Sequence, residues 1–327
     1  MLKGLALTPP VIGRISIGKV VEKNGKRLPE KDDEFTITSQ VQTKDGWVNH
    51  PVDETLRKTP TTKLRNIPVR LLFDDPDLNL RANYSLFDRQ TGRPLCVGNG
   101  ETCRRSLAAG VQTLPCPSPD SCELASGGHC KPYGRLNVRI GDDDELGSFV
   151  FRTTGFNSIR TLSARLKYFH AVSGGLLSTL PLELRLRGKS TTQSHRAPIY
   201  YVDLTIQPGM TMADAIVSAK SACEIRKASG YDQAALDEAA RDGFAAGAFE
   251  ESEEDGAAVV EEFFPDEFDS GFSSNPAGNA SLAGPKPGLA DKLNHKAALM
   301  NGNGSRSGNG PRGAVNQATP QPMQGRD

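Results

Sequence analysis

Five of the six cysteines in this 327-residue chain, Cys96, Cys103, Cys116, Cys122 and Cys130, fall within 35 residues, the last three in the run PCPSPDSCELASGGHCKP. Thiolates are soft ligands, and four of them satisfy the tetrahedral preference of Zn²⁺. The prolines and glycines between Pro94 and Pro132 can turn the backbone around a small centre. The composition of this run predicts a zinc knuckle over residues 94–132 with Cys96, Cys116, Cys122 and Cys130 as ligands and with Cys103 and His129 as substitutes. Gaps of nineteen, five and seven residues depart from paired CxxC knuckles, so the spacing points to zinc less sharply than the ligand type does. His129 ranks lower because it directly precedes Cys130, and neighbours in a tight turn seldom both face one ion. One or two disulfides are the other use of such a cluster. The chain opens MLKGLALTPP with no apolar signal segment, so a cytoplasmic location and reduced thiols are expected.

Catalytic chemistry is sparsely represented. The chain has no GxGxxG, HExxH or GxSxG motif and no complete phosphate-binding loop, and its five histidines are scattered. No cysteine is matched with a histidine and a carboxylate as a catalytic thiol requires. The four acids Asp142 to Glu145 lack the alternation of a Ca²⁺ loop and read as a solvated turn. A four-thiolate zinc site is closed and structural, whereas hydrolysis needs an open coordination position and a general base. The chain is therefore read as a binding protein with no small-molecule substrate. A metal-dependent hydrolase or nuclease is the alternative. No stretch approaches eighteen consecutive apolar residues, so no membrane partner is expected.

Strands and hairpins carry most of the positioning. Alternation at Ile15 and Ile17, then at Phe35 and Ile37, predicts two paired strands turning at Asn24-Gly25. Gln40 to Lys63 reads as a polar loop, followed by a strand in NIPVRLLFDD. ANYSLFDRQTGRPLCVGNG predicts a hairpin that delivers Cys96, with the other thiols approaching from the following loop. GRLNVRIG and GSFVFRTTG form another hairpin, as do PLELRLRG and IYYVDLTI, whose connection from Lys189 to Pro198 is basic and exposed.

Two helices stand out. FNSIRTLSARLKYFHAVSGG places Ile159, Leu162, Leu166 and Phe169 on one stripe, with Asn157 or Ser158 as cap and Gly174-Gly175 as stop. A second helix begins at Thr211 and Asp214 with capping-box spacing, runs to about Ala228, and contains Cys223 as an expected buried residue. Arg160, Arg165 and Lys167 on the polar side of the first helix, with Lys189, His195 and Arg196 in the loop, are candidate contacts to a partner or nucleic acid. The fold class expected is α+β, mainly antiparallel strands and hairpins with two principal helices.

Charge is segregated along the chain. Residues 241–275 carry eleven acidic residues against one basic, although the whole chain is neutral. In this stretch acids surround Val259, Val260, Phe263, Phe264 and Phe268, a pattern suited to docking aromatics into a basic, apolar groove. From Ser273 onward Gly, Asn, Ser and Pro dominate, which predicts disorder. The expected organisation is a zinc-stabilised domain over 1–232, an acidic aromatic segment over 233–272 and a disordered tail over 273–327.

In order along the chain, LKGL, GRISIG, the DEF strand, YSLFDRQTGRPLCVGNGETCRRS, CPSPDSC with Cys130 behind it, TTGFNSIRTLSARL, GGLLSTLPLELRLRG and YYVDLTI resemble the recombination directionality factors of phages that use large serine integrases. The resemblance covers roughly Leu2 to Ala219. It implies a protein that binds a serine integrase already seated on DNA and repositions its zinc-ribbon and coiled-coil arm. That change would favour excision over integration while the factor itself breaks no bond. The family's cysteine pattern falls on Cys96, Cys116, Cys122 and Cys130, and Cys103 is additional. Residues 40–63, the loop 189–198 and the acidic aromatic tail have no place in the resemblance.

Overall fold

Residues 10–23, 26–43, 46–59, 61–141, 147–190, 192, 196, 198–246, 259, 260 and 263 are described by the structure, a computed structural model. The chain divides into two units, residues 1–272 and 273–327, and all described residues belong to the first. The segment 273–327, the turn 24–25 and the acidic run 142–145 lie outside the described residues.

The architecture is α+β. Among the described residues the strands are β1 (Val11–Lys23), β2 (Lys26–Thr43), β3 (Gly46–Asn49), β4 (Asn66–Leu71), β5 (Leu80–Phe87), β6 (Pro94–Gly98), β7 (Thr102–Leu107), β8 (Gly110–Pro115), β9 (Lys131–Ile140), β10 (Ser148–Thr153), β11 (Leu182–Lys189) and β12 (Ile199–Ile206). They form one mixed sheet whose main path runs β3-β2-β1-β10-β9-β5-β6-β7-β8. Every pairing is antiparallel except β1 with β10.

Strand β9 is the branch point. One edge pairs with β10, while the other is shared: residues 131–136 face β5 and residues 138–140 face β4, which leads on to β11 and β12. A ten-residue strand can hold two shorter neighbours end to end because each uses only part of its hydrogen-bonding edge.

Five helices complete the described structure: α1 (Pro51–Arg57), α2 (Pro76–Asn79), α3 (Phe156–Ser173), α4 (Met212–Ala228) and α5 (Gln233–Ala246). Ile159, Leu162, Leu166 and Phe169 of α3 are buried in or beside a core that also takes Ile15, Phe35, Ile37, Leu136, Val138, Leu182, Leu184, Val202 and Leu204. Each such side chain contributes roughly 1.5–3 kcal/mol by leaving water. Gly174 ends α3 in the left-handed region at φ 69°, a conformation that carries no Cβ penalty in glycine. The start differs from expectation. Gly155 is the N-cap without a side-chain cap, and Ser158 is instead buried, its Oγ accepting the Val202 amide at 3.1 Å. Helix α4 begins as expected, with the Thr211–Asp214 capping box made in both directions.

Part of the interval read as a polar loop, residues 40–63, is ordered secondary structure: the end of β2, all of β3, and α1. A polar network supports it. Asp53 is buried, accepts the Ile37 amide at 2.8 Å and meets Arg57, whose guanidinium also reaches Glu34 and the Phe35 carbonyl. Trp47 lies under the Arg14 guanidinium, 4.0 Å from the ring centroid. Helix α5 is fastened by Asp237, whose Oδ2 accepts the Asp74 and Asp75 amides at 3.0 and 3.1 Å, and by the Arg241–Asp75 pair.

Candidate functional site

Cys96 lies on the second arm of the β5–β6 hairpin and Cys116, Cys122 and Cys130 lie outside strands, as expected, but two further strands, β7 and β8, precede Cys116. Strands β6, β7 and β8 extend the sheet beyond β5 as a thin ribbon, and the register places Cys96 opposite Arg105, Gly98 opposite Cys103 and Cys103 opposite Leu114. Opposed residues share a face and so do alternate residues, so Cys96, Gly98, Cys103 and Arg105 share one face. Cys116 follows β8 and donates its amide to the Glu101 carbonyl at 2.8 Å. Its sulfur turns back over Gly98, where a Cβ would come within 2.9 Å of it.

The remaining two thiols arrive by turns. Cys122 sits between the single 3₁₀ turns Pro119–Ser121 and Glu123–Ala125. Gly127 and Gly128 then reverse the chain at φ 83° and 76°, conformations that glycine adopts without strain. Cys130 comes one residue before β9, next to the last β5–β9 pair, Ser85 with Lys131, while Cys96 on the far side of β5 faces Leu86. Thus β5 is all that separates the strand leading out of Cys130 from the strand holding Cys96.

All five cysteines are free thiols that act on one another. Burial pushes the Cys130 thiol up to about 11, and the neighbouring charges of Cys96, Cys122, Cys116 and Cys103 add to the effect. Burial likewise raises Cys103 to about 11, joined by its hydrogen bond and charge interaction with Cys96 and opposed by Arg105. The Arg105 guanidinium is itself raised, first by Cys96. Several thiolates packed together repel one another, so full ionisation requires a positive partner. Arg105 supplies one positive charge, and the donor chemistry suits a soft divalent cation.

Among the described residues, no three His, Cys, Asp or Glu side chains form a group that could hold an ion as they stand. The substitute His129 is exposed, and its Nδ1 lies 3.4 Å from Arg89 Nη2.

The expected contact residues separate into two sets. Arg160 and Lys167 are exposed on α3. Arg165 is engaged: its Nε donates to buried Asp203 at 3.0 Å, and Arg187 Nε reaches the other oxygen at 2.6 Å. Burial acts to raise the Asp203 carboxyl, but the bonds from Arg187 and Arg165 prevail and hold it below its usual value. Lys189 donates to Asn157 at 2.8 Å, which ties the end of β11 to the first turn of α3. Arg196 is exposed at φ 63°, and His195 lies outside the described residues.

The acidic aromatic segment returns to the sheet. Val259, Val260 and Phe263 are helical, and Val259 and Phe263 are fully buried against Phe87 of β5 and Tyr133 of β9. The Phe263 ring meets Phe87 edge-on at 4.8 Å between centroids and Tyr133 at 6.0 Å. Lys131 Nζ donates to the Phe263 carbonyl at 3.1 Å. Phe264 and Phe268 lie outside the described residues. Cys223, expected to be buried, instead lines an open groove of about 670 Å³ between α3 and α4 with Val172, Ile216 and Lys220.

Sequence reasoning did not single out Gly98, Arg105 or the Phe87–Tyr133 surface. Arg105 had a local signal, a cation two residues after Cys103, whereas the aromatic surface joins residues far apart in the chain.

Fold and site together describe a sheet-built α+β scaffold that carries Cys96 and Cys103 on a ribbon, Cys116 at its end, and Cys122 and Cys130 in the turns that lead back to β9. The Gp3-like family model, described as recombination directionality factor-like, matches residues 12–207, and the chain belongs to this family. The match covers most of β1 and all the other strands, with α1–α3 and the five clustered cysteines, and stops one residue after β12. No curated protein and no solved structure matched the chain. Membership gives the protein an accessory role in DNA recombination, working with another recombination protein in a family that is not catalytic. Among the described residues no helix is long and apolar enough to cross a membrane.

Proposed function

We propose that this protein binds a serine integrase and biases its reaction toward excision, with a Zn²⁺ ion bracing the cysteine ribbon. The observation that carries the reading is the family match over residues 12–207, which takes in both the sheet and the cysteines. A directionality factor needs surface more than catalytic groups. It must hold one recombinase conformation more tightly than another, and about 1–3 kcal/mol of differential contact shifts that equilibrium roughly 5- to 150-fold.

Cys96, Cys116, Cys122 and Cys130 would hold the ion, with Cys103 and His129 as substitutes. When bound, Zn²⁺ supplies the positive charge that lets these thiols ionise together. Gly98 leaves room for the Cys116 sulfur, Arg105 offsets the charge on Cys96, and β5 stands between the ribbon and the start of β9. DNA would be reached through the integrase complex, with Arg160, Lys167 and Arg196 as exposed cations able to contribute.

Affinity capture with the full chain from the native genetic element tests the partner. A serine recombinase should be recovered, and adding the protein to that recombinase should raise excision and lower integration. Recovery of no recombinase, or an unchanged product ratio with bound protein, would overturn the reading.

A further inference from the structure

The aromatic surface under Phe263 belongs to the family-matched sheet, but its cover does not. Phe87 and Tyr133 lie inside residues 12–207, whereas Val259 and Phe263 lie beyond. Among the described residues the cover consists of Val259 and Phe263, both helical and four residues apart, a half-buried Val260 and a hydrogen bond from Lys131 to the Phe263 carbonyl. Lys131 borders the surface, and the Arg135 guanidinium stands 5.7 Å from the Tyr133 ring centroid. The cover comes from the most acidic part of the chain, so the charges are complementary.

We infer that the Phe87–Tyr133 face, bordered by Lys131, is a docking site for a short acidic helical segment with apolar anchors four residues apart. Its resident ligand is the chain's own 259–263 segment, held as a displaceable strap. A short segment with two apolar anchors binds weakly between separate molecules. Tethering within one chain raises the effective concentration to the order of millimolar and keeps the site filled. A recombination partner that uses this face, adjoining Cys130, must first displace the strap. That last step rests on the proposed function; the docking site and strap do not.

The test uses full-length protein and a fluorescent peptide of residues 251–268. Wild-type protein, its site already filled, should bind the peptide weakly. Full-length Phe263→Ala should bind it about tenfold tighter or more, because the internal competitor is lost. A peptide carrying the same substitution should bind neither protein. Adding Lys131→Glu to the Phe263→Ala protein should weaken binding of the native peptide, most clearly at low salt. Circular dichroism on each variant checks that the sheet is intact.

Equal affinity of wild type and Phe263→Ala, or no binding to either folded protein, would overturn the inference. So would a wild-type dimer dissociated by Phe263→Ala, which would place the segment on a second copy. Peptide binding as expected with no recombinase captured would leave the strap standing and remove the proposed partner.

Discussion

Gly98 and Cys116 are in such close approach that one methyl group would separate them: a Cβ on Gly98 would lie 2.9 Å from the Cys116 sulfur and 2.7 Å from the Cys103 Cβ. The ribbon closes over its own thiols because this position has no side chain. Gly98→Ala should therefore force β6 away from β7 and the Cys116 turn, destabilising the protein by about 1–3 kcal/mol. Urea denaturation measures the difference. A variant with wild-type stability and unchanged thiol reactivity would show that the close approach is not maintained.

Zinc content is a direct measurement. Elemental analysis of purified protein should find one zinc per chain, and Cys122→Ser should lower both the metal content and the melting temperature. A strong chelator should produce a similar loss of stability in the wild type, since a structural metal contributes to folding. Metal-free wild type, or a Cys122→Ser protein that keeps its zinc, would remove Cys122 from the ligand set.

Leu162 is fully buried on the inner face of α3. Leu162→Ala should cost roughly 2–5 kcal/mol, the lost transfer energy plus that of the cavity left behind. Arg160→Ala on the exposed side should change stability by less than about 0.5 kcal/mol. If Arg160 meets the recombinase, the latter variant should still weaken capture.

Asp203 gives a pH dependence of known sign. Its folded-state carboxyl is held below the usual 3.8 by Arg187 and Arg165, which overcome the opposing effect of burial. Its contribution is therefore fully present above that value and is lost as pH falls through the lower folded one. Asp203→Asn should destabilise by about 1–3 kcal/mol near pH 7, a figure kept modest because both guanidinium groups are partly exposed. The difference from wild type should shrink below about pH 4. An equal difference at pH 7 and pH 3 would mean that charge is not what Asp203 contributes.

Much of the fold was legible because its patterns are local. The register sets Ile15 against Ile37 and Ile17 against Phe35. The α3 stripe is buried, and α4 starts at its capping box. The elements missed carry weak patterns for physical reasons. Strands β7 and β8 are mostly exposed, so they show no burial-driven alternation, and α1 is anchored by the Asp53–Arg57 network.

By itself the sequence determined the class of fold, the main strands and helices, the concentration of thiols in one segment and the likeness to recombination directionality factors, since each depends on residues near one another in the chain. Only the tertiary structure decided that β1 runs parallel to β10, that Gly98 makes room for Cys116, that Arg165 is engaged by Asp203, and that Phe263 covers Phe87 and Tyr133. Those relationships join residues that the chain brings together only through the sheet register and the path of the backbone, and no local periodicity encodes them.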